Sequence, residues 1–548
     1  MNKNMKTKYP VNVVVAPIII ALAIVTGIFI GRYYQSNKTE NMFYIYPRTD
    51  KLSNVVNYIT REYVDPINKD RIIESTIPKI LSELDPHSQY LPASELSKMN
   101  EPLEGNFSGI GVQFNMLNDT LVVIKTIANG PSEKVGILAG DRILIVDGDT
   151  MAGRNISSDS IVSRLKGPKG TLVNVGVERK NVKNNIFFDI IRDDIPLHSL
   201  DIAYMVRPEI GYIKLNKFSR TTFEEFSEGV IKLLGQGMTK LILDLRGNGG
   251  GYLDAAVRIA DQFLEQGQLI VYTEGHARQR QEYRASKGGL CKDVDVAILI
   301  DEGSASASEI LAGAIQDNDR GTIIGRRSFG KGLVQEQNLL HDGSAIRLTI
   351  ARYYTPTGRC IQKPYENGHE DEYFLDLSNR YLNGEFSERD SIKFNDSLKF
   401  TTPGGKIVYG GGGIMPDLFV PLDTLGVTDY LVDVRNRGLI YRFSLQYTDD
   451  HRNELQNLST IEQIDSYLRD KKTFEEFLSF AEKNDVPPNK KEIDESKEIL
   501  TTQLYAYIIR NILDDEGFYP AIESIDNTLL KAIDVMKSTP TMYASEEE

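Results

Sequence analysis

From Gly211 onward the sequence alternates continuously apolar stretches with amphipathic ones: "GYIKLNKF", "TFEEFSEGVIKLLGQG", "KLILDLRGN", "YLDAAVRIADQFLEQ", "VDVAILIDEG" and "SEILAGAIQDN". Runs such as "LILDL" and "VAILI" lack polar alternation, so strands made from them need cover, and the amphipathic segment after each run supplies it. The pattern predicts an α/β core, a sheet covered by helices, and it is the largest core the chain can build. A length of 548 residues exceeds one hydrophobic core, so further domains are expected around it.

Upstream, "FSGIGVQFNMLNDTLVVIKTIANGPSEKVGILAGDRILIVDGDTM" breaks into short apolar runs between glycine, asparagine and aspartate turns. Strands at "LVVIKTI" and "RILIVDG" with short helices at "SEKVGIL" and "SSDSIVSRLKG" make a compact mixed unit. Residues 45–100 carry apolar positions at helical spacing, and residues 428–548 are helical and charged, with Leu500, Leu504, Ile508 and Ile512 on one face. That last region reads as a helical appendage packed on the main body. The expected organisation is a cytoplasmic tail and membrane anchor (1–32), a helical region (45–100), the mixed unit (101–193), the α/β core (194–425) and a C-terminal helical region (426–548).

The anchor rests on "VVVAPIIIALAIVTGIFIG", an apolar run from Val13 to Gly31 long enough for one membrane span. Lys3, Lys6 and Lys8 precede it and Arg32 follows, which keeps the N-terminus cytoplasmic and sends the rest of the chain across. The net charge of -14 argues against a nucleic-acid partner, which needs concentrated Lys and Arg, and favours a peptide or protein partner. Cys291 and Cys360 have no paired spacing and read as free or buried thiols. The six histidines form no short-range cluster, so neither a metal site nor a cofactor is indicated.

In "TIIGRRSFGKGLVQEQ", Gly325, Gly330 and Lys331 have the spacing of a phosphate loop, but Gly332 stands where the magnesium-binding hydroxyl belongs and "LVQEQ" alternates like a strand. A different chemistry fits. In "LIDEGSASASEILAGAIQD" an apolar strand turns into a helix beginning near Ser304 to Ser308, so a serine there would lie at the positive end of a helix, although serines also cap helices routinely. In "LILDLRGNGGGYLDAA" three glycines directly after a strand leave amides unobstructed for a developing negative charge. Together these are the parts for acyl transfer: a serine nucleophile, a lysine base and glycine amides for the oxyanion.

"GSASASEILAGAIQDNDRGTIIGRRSFGKGLVQ", "DLRGNGGG" and "ARYYTPTGRCIQ" closely resemble the carboxy-terminal processing peptidases, or tail-specific proteases, and "LDPHSQYL" resembles the stretch before that family's PDZ domain. The resemblance runs from about residue 50 to 425. It implies a crotonase-like α/β serine protease core with Ser306 as nucleophile, Lys331 as general base and Gln335 orienting the lysine. Amides of Gly251, or of its neighbour Gly250, and of Ala307 would form the oxyanion hole. It also implies a PDZ domain near 105–193 whose "FSGIGV" loop receives a substrate's terminal carboxylate on the amides of Gly109, Ile110 and Gly111. At Lys166, where several relatives have arginine, lysine lacks the forked contact. Free lysine titrates at about 10.4, so Lys331 is expected to be buried against Phe329 and Val334 in a pocket free of carboxylates. The resulting expectation is a membrane-anchored, extracytoplasmic endopeptidase, periplasmic in a Gram-negative cell. Its partners would be protein substrates with free C-terminal tails, the inner membrane through the anchor, and an adaptor or activator protein. The rival expectation is a PDZ scaffold whose protease core binds peptides without cutting them, or is held inactive until a partner arrives.

Overall fold

The computed structural model describes residues 19–30, 51–117, 119–180 and 182–538. The chain divides into two units, Met1–Thr76 and Ile77–Glu548. In the first, residues 19–30 form an exposed helix and Lys51–Glu62 another. The expected span from Val13 to Gly31 falls partly outside the described residues, and among those residues no helix is long and apolar enough to cross a membrane.

The second unit is organised by the sheet that the alternation predicts. Its strands run in the order Leu200–Arg207, Ile210–Leu215, Lys240–Asp244, Asp295–Ile300, Thr322–Gly325, Leu418–Phe419; the first pair is antiparallel and the rest are parallel. Helices Thr222–Leu234, Leu253–Asp261 and Ala307–Asp317 separate successive strands in sequence. Strand side chains alternate between faces. Leu241, Leu243, Val296, Ile298 and Ile300 therefore join Phe226, Phe263 and Ile310 in one cluster. Ile242, Ala297, Leu299 and Ile324 form a second cluster with Leu529, Ala532, Ile533 and Met536. The helix Asn527–Ser538 thus contributes to the main core, and each large side chain it buries is worth about 1.5–3 kcal/mol.

A second, antiparallel sheet frames the site. Leu333–Leu339 pairs with the long strand Ala345–Tyr354, and Gln89–Leu91, from the "LDPHSQYL" stretch, pairs with the start of that strand. The unit expected to be a PDZ domain has strands in the order Val112–Leu117, Thr120–Thr126, Arg142–Val146, Leu172–Glu178, Ile186–Ile191, with helices Pro131–Val135 and Ser158–Leu165. Its own core includes Ile110, Leu121, Val123, Ile143, Val175 and Ile190. Asn106–Gly109 pairs with Asp193–Pro196 and closes the module's two ends together.

The C-terminal helices from Asp429–Asn436 to Lys490–Ile522 form a separate cluster in which Leu500, Leu504 and Ile508 are buried and Ile512 partly so. Non-helical backbone at Asp514 bends the last of them. This region touches both neighbours. Asp449 accepts from Arg142 of the PDZ-like unit at 2.6 Å, and Arg246 of the core forks onto Asp526 at 2.8 and 2.7 Å.

Candidate active site

The strand Asp295–Ile300 ends in a turn, and the helix Ala307–Asp317 begins directly after Ser306. Three serines compete for attention in "GSASAS", and hydrogen bonds separate them. Ser304 is buried and donates its hydroxyl to the Leu245 carbonyl at 2.8 Å; Ser308 is buried and donates to the Asn248 carbonyl at 2.8 Å. Both fasten this turn to the glycine turn beside it. Ser306 alone of the three is partly exposed, and it sits at φ 54°, ψ -111°, a backbone region that L-residues rarely occupy. Strained backbone of this kind recurs at functional sites, including the strand-to-helix turns that present a nucleophilic serine.

The glycine turn is ordered by Asn248, a residue the motif reading passed over. Its side-chain nitrogen donates to Leu215 O at 2.9 Å, its Oδ1 accepts the Gly250 amide at 2.9 Å, and its carbonyl accepts the Ala305 amide at 3.0 Å. Gly250 is thereby occupied, whereas the Gly251 amide meets no acceptor among the described residues. Gly251 has φ 147°, and a Cβ there would lie 2.0 Å from the Phe218 carbonyl, so only glycine fits. A Cβ on Gly250 would meet Ala305 O, Ser306 Cβ and Ala307 N at 2.7–2.9 Å, which shows how closely the two turns are stacked. Ala307 opens its helix, so its amide has no intrahelical acceptor either. Two unused amides thus flank the serine.

Lys331 shares with Ser306 and the glycine turn a cleft of about 530 Å³, further lined by Gln335, Gln337, Arg347 and Tyr353. Its amine donates to Gln335 Oε1 at 3.2 Å, and Gln335 in turn donates through Nε2 to the His87 carbonyl. Among the described residues no carboxylate pairs with the amine, and no hydrogen bond joins it to the Ser306 hydroxyl. Burial lowers the lysine's pKa, and the guanidinium of Arg347 lowers it further. Here the sequence expectation needs two corrections. Phe329 packs against Tyr373 and beneath the amine of Lys363, while Val334 does line the cleft. The pocket is also not free of carboxylates, because Glu309 and Asp85 act on Lys331 and oppose the fall in its pKa.

Glu309 is the largest omission from the sequence reading. Its carboxylate is buried and accepts the amides of Ser306 (2.8 Å), Gly330 (2.7 Å) and Lys331 (2.9 Å) and the hydroxyl of Ser328 (2.5 Å). One side chain therefore ties the serine's backbone to the lysine's. Burial pushes its pKa up to about 7 against the pull of these donors. A glutamate three residues after a capping serine is the one sequence signal that could have revealed half of this arrangement. Asp85 does similar work behind Gln335: it accepts from the amides of His87 (2.8 Å) and Ser88 (2.9 Å) and from Thr349 Oγ1 (3.0 Å). Burial, then the charge of Lys331, hold the His87 pKa down to about 4.

In the PDZ-like unit, Gly109 closes the strand Asn106–Gly109, Ile110 is buried in the core and Gly111 adopts φ 72°. The helix Ser158–Leu165 ends beside this loop. The Lys166 amine lies 4.3 Å from the Phe107 ring centre and donates to Glu101 at 2.5 Å. Glu101 belongs to the helix Ala93–Glu104, whose Asn100, Leu103 and Glu104 line the catalytic cleft. Lysine thus reaches this helix by a single-point ion pair.

Residues 209–369 match peptidase family S41, residues 108–189 match the PDZ domain family, and residues 430–514 match a family of unknown function. The molecule is therefore a serine peptidase that carries a PDZ domain. A carboxy-terminal-processing protease of Bartonella bacilliformis is 35% identical over 62% of this chain and 79% of its own length. A probable CtpA-like serine protease of Staphylococcus aureus is 32% identical over 64% of this chain and 70% of its own. Among solved structures, the photosystem II D1 C-terminal processing protease aligns with 25% identity over 68% of this chain and 87% of that one, at a TM-score of 0.35. The chain belongs to peptidase family S41, the carboxy-terminal-processing proteases, with the crotonase-like α/β core, PDZ domain and helical ends expected of it.

Proposed function

We propose that this peptidase works outside the cytoplasm, anchored by its N-terminal apolar segment, and captures protein C-termini on the PDZ loop before cutting them with Ser306 and Lys331. The observation that carries the chemistry is the half-buried Lys331 amine, held by a neutral amide and, among the described residues, paired with no carboxylate, in the cleft that Ser306 also lines. A lysine in that setting gives up its proton more readily than a free one. As neutral amine it takes the Ser306 proton while Oγ bonds to the scissile carbonyl carbon. The carbonyl oxygen, now negative, is received by the amides of Gly251 and Ala307. Collapse breaks the C–N bond, and the Lys331 ammonium returns its proton to the leaving amine, leaving an acyl ester on Ser306. Water, deprotonated by the same amine, then attacks the ester; its collapse releases the carboxylate product and returns the proton to Ser306. Gln335 holds the amine in line, and the absence of a Ser306–Lys331 hydrogen bond fits a dyad that tightens when substrate docks.

On the PDZ side, an open edge of Val112–Leu117 next to Gly109, Ile110 and Gly111 suits an extended tail ending in a carboxylate. Lys3, Lys6 and Lys8 before the apolar run support the extracytoplasmic orientation.

The test is hydrolysis of quenched fluorescent peptides with free and amidated C-termini. Ser306→Ala and Lys331→Ala should each abolish turnover, by roughly 10⁴-fold or more, without loss of the folded state. Wild type should show an acid limb in kcat/KM below the titration of free lysine. Turnover retained by Lys331→Ala, or wild-type inactivity with tails still bound, would refute the catalytic assignment and favour a scaffold. Equal affinity for free and amidated tails would remove the carboxylate role of the PDZ loop. Protection of the folded chain from added protease even after the outer membrane is permeabilised would argue against the extracytoplasmic placement.

A further inference from the structure

The mechanism above leaves one cation of the cleft without a task. Arg347 lies on the strand Ala345–Tyr354, paired with Gln337 on one side and Gln89 on the other. Because Gln335 pairs with Thr349 and Gln337 with Arg347, these four side chains share one face of the sheet, the face that carries Gln335 to Lys331. Arg347 and Lys331 both line the catalytic cleft and also a second hollow of about 420 Å³, which His87, Ser88, Phe374 and the exposed Glu370 line with them.

The guanidinium uses only one nitrogen. Nη2 donates to Asn100 Oδ1 at 3.1 Å and to Gln337 Oε1 at 2.9 Å, both neutral amides. Nε and Nη1 meet no acceptor, and no carboxylate pairs with the group, among the described residues. The other arginine of the cleft differs: Arg220 is forked onto Glu104 at 2.7 and 2.9 Å. In a chain with net charge -14, a half-buried arginine facing a second cation, with two edges of its fork unused, is an incomplete ion pair. Arginine's planar fork fits a carboxylate by paired hydrogen bonds, and partial burial strengthens that bond. The fall in the Lys331 pKa caused by Arg347 is a further sign of how near the two cations are.

We infer that Arg347 is a specificity-determining residue of the peptidase, which receives a substrate carboxylate close to the scissile bond and so selects chains with an acidic side chain there. This rests on the proteolytic reading of the cleft. A carboxylate can also come from a chain terminus placed at the same point, and the experiment separates the two sources.

A parent peptide with one cleavage site and a constant free C-terminus is varied to Glu, Gln and Lys at each of three positions on either side of the cut. Wild type, Arg347→Gln and Arg347→Lys are compared by kcat and KM. At one position wild type should favour Glu over Gln by roughly 10- to 100-fold, mainly through KM, with Lys poorest. Arg347→Gln should flatten that ratio, and Arg347→Lys should keep part of it. Peptides truncated to end at the same position, free or amidated, identify the source: a preference seen only with the free terminus assigns the carboxylate to the chain end and overturns the side-chain reading. Wild-type cleavage without an acidic preference at any position overturns the inference while leaving the peptidase reading intact, and needs no variant to fold. An identical Glu-to-Gln ratio in wild type and Arg347→Gln overturns it as well. Failure of wild type to cut any peptide overturns both.

Discussion

Two glycine-framed turns, one in the α/β core and one in the PDZ domain, are secured by different means. The turn at residues 247–251 is locked to the serine turn by buried bonds from Asn248, Ser304 and Ser308, and the serine turn to the lysine loop by Glu309. The loop at residues 109–111 borders on charges nearer the solvent: Lys166 with Glu101, and Lys169 with Asp193 and Asp194. Buried, satisfied hydrogen bonds are costly to break and indifferent to salt, whereas exposed ion pairs are weak and screened. The backbones of the serine, glycine and lysine turns are therefore fixed relative to one another by the fold, while the loop proposed to take a peptide end borders charges that salt can weaken.

The sharpest way to break this contrast is Glu309→Gln. An amide presents hydrogens to backbone amides that need acceptors, so the variant should lose about 1–3 kcal/mol of stability in urea titrations. Misplacing Ser306 against Lys331 should cost roughly 100-fold in kcat. Wild-type kinetics in a folded Glu309→Gln protein would show that the carboxylate does not set the dyad.

A second consequence concerns pH. The folded Glu309 pKa is raised to about 7 from 4.5, so the folded chain keeps a proton that the unfolded chain has lost in this window. The corresponding stability is complete below 4.5 and disappears as pH rises through about 7. Its slope is at most about 1.4 kcal/mol per pH unit. Subtracting the Glu309→Gln denaturation midpoints from those of wild type between pH 4.5 and 7 should reveal a difference that falls with pH; a flat difference would place the ionisation elsewhere.

The smallest effect belongs to the recognition side. Glu101→Gln should cost no more than about 1 kcal/mol of stability, since the pair with Lys166 is partly exposed. It should alter KM for tailed substrates more than kcat, and the change should shrink at high salt. A salt-independent loss in kcat instead would mean that the helix Ala93–Glu104 belongs to the rigid catalytic floor.

Much of this was legible in one dimension. Apolar runs at "LILDL" and "VAILI" specified strands, because their uninterrupted burial leaves no other economical conformation, and glycines 250 and 251 specified close backbone approach. The spacing of Ser306, Lys331 and Gln335 within a recognisable block marked the chemistry. What the sequence could not disclose are contacts between distant segments. Nothing near residue 87 announces that its carbonyl anchors Gln335, and nothing near residue 533 announces that its helix covers the sheet. Local pattern determines which segments become strands, helices and tight turns, since propensity and periodicity act over a few residues. The choice of which of three serines is left partly exposed, and, among the described residues, which glycine amide is unused and which arginine of the catalytic cleft meets no carboxylate, was made by tertiary packing, because each depends on partners brought together only when the sheets assemble.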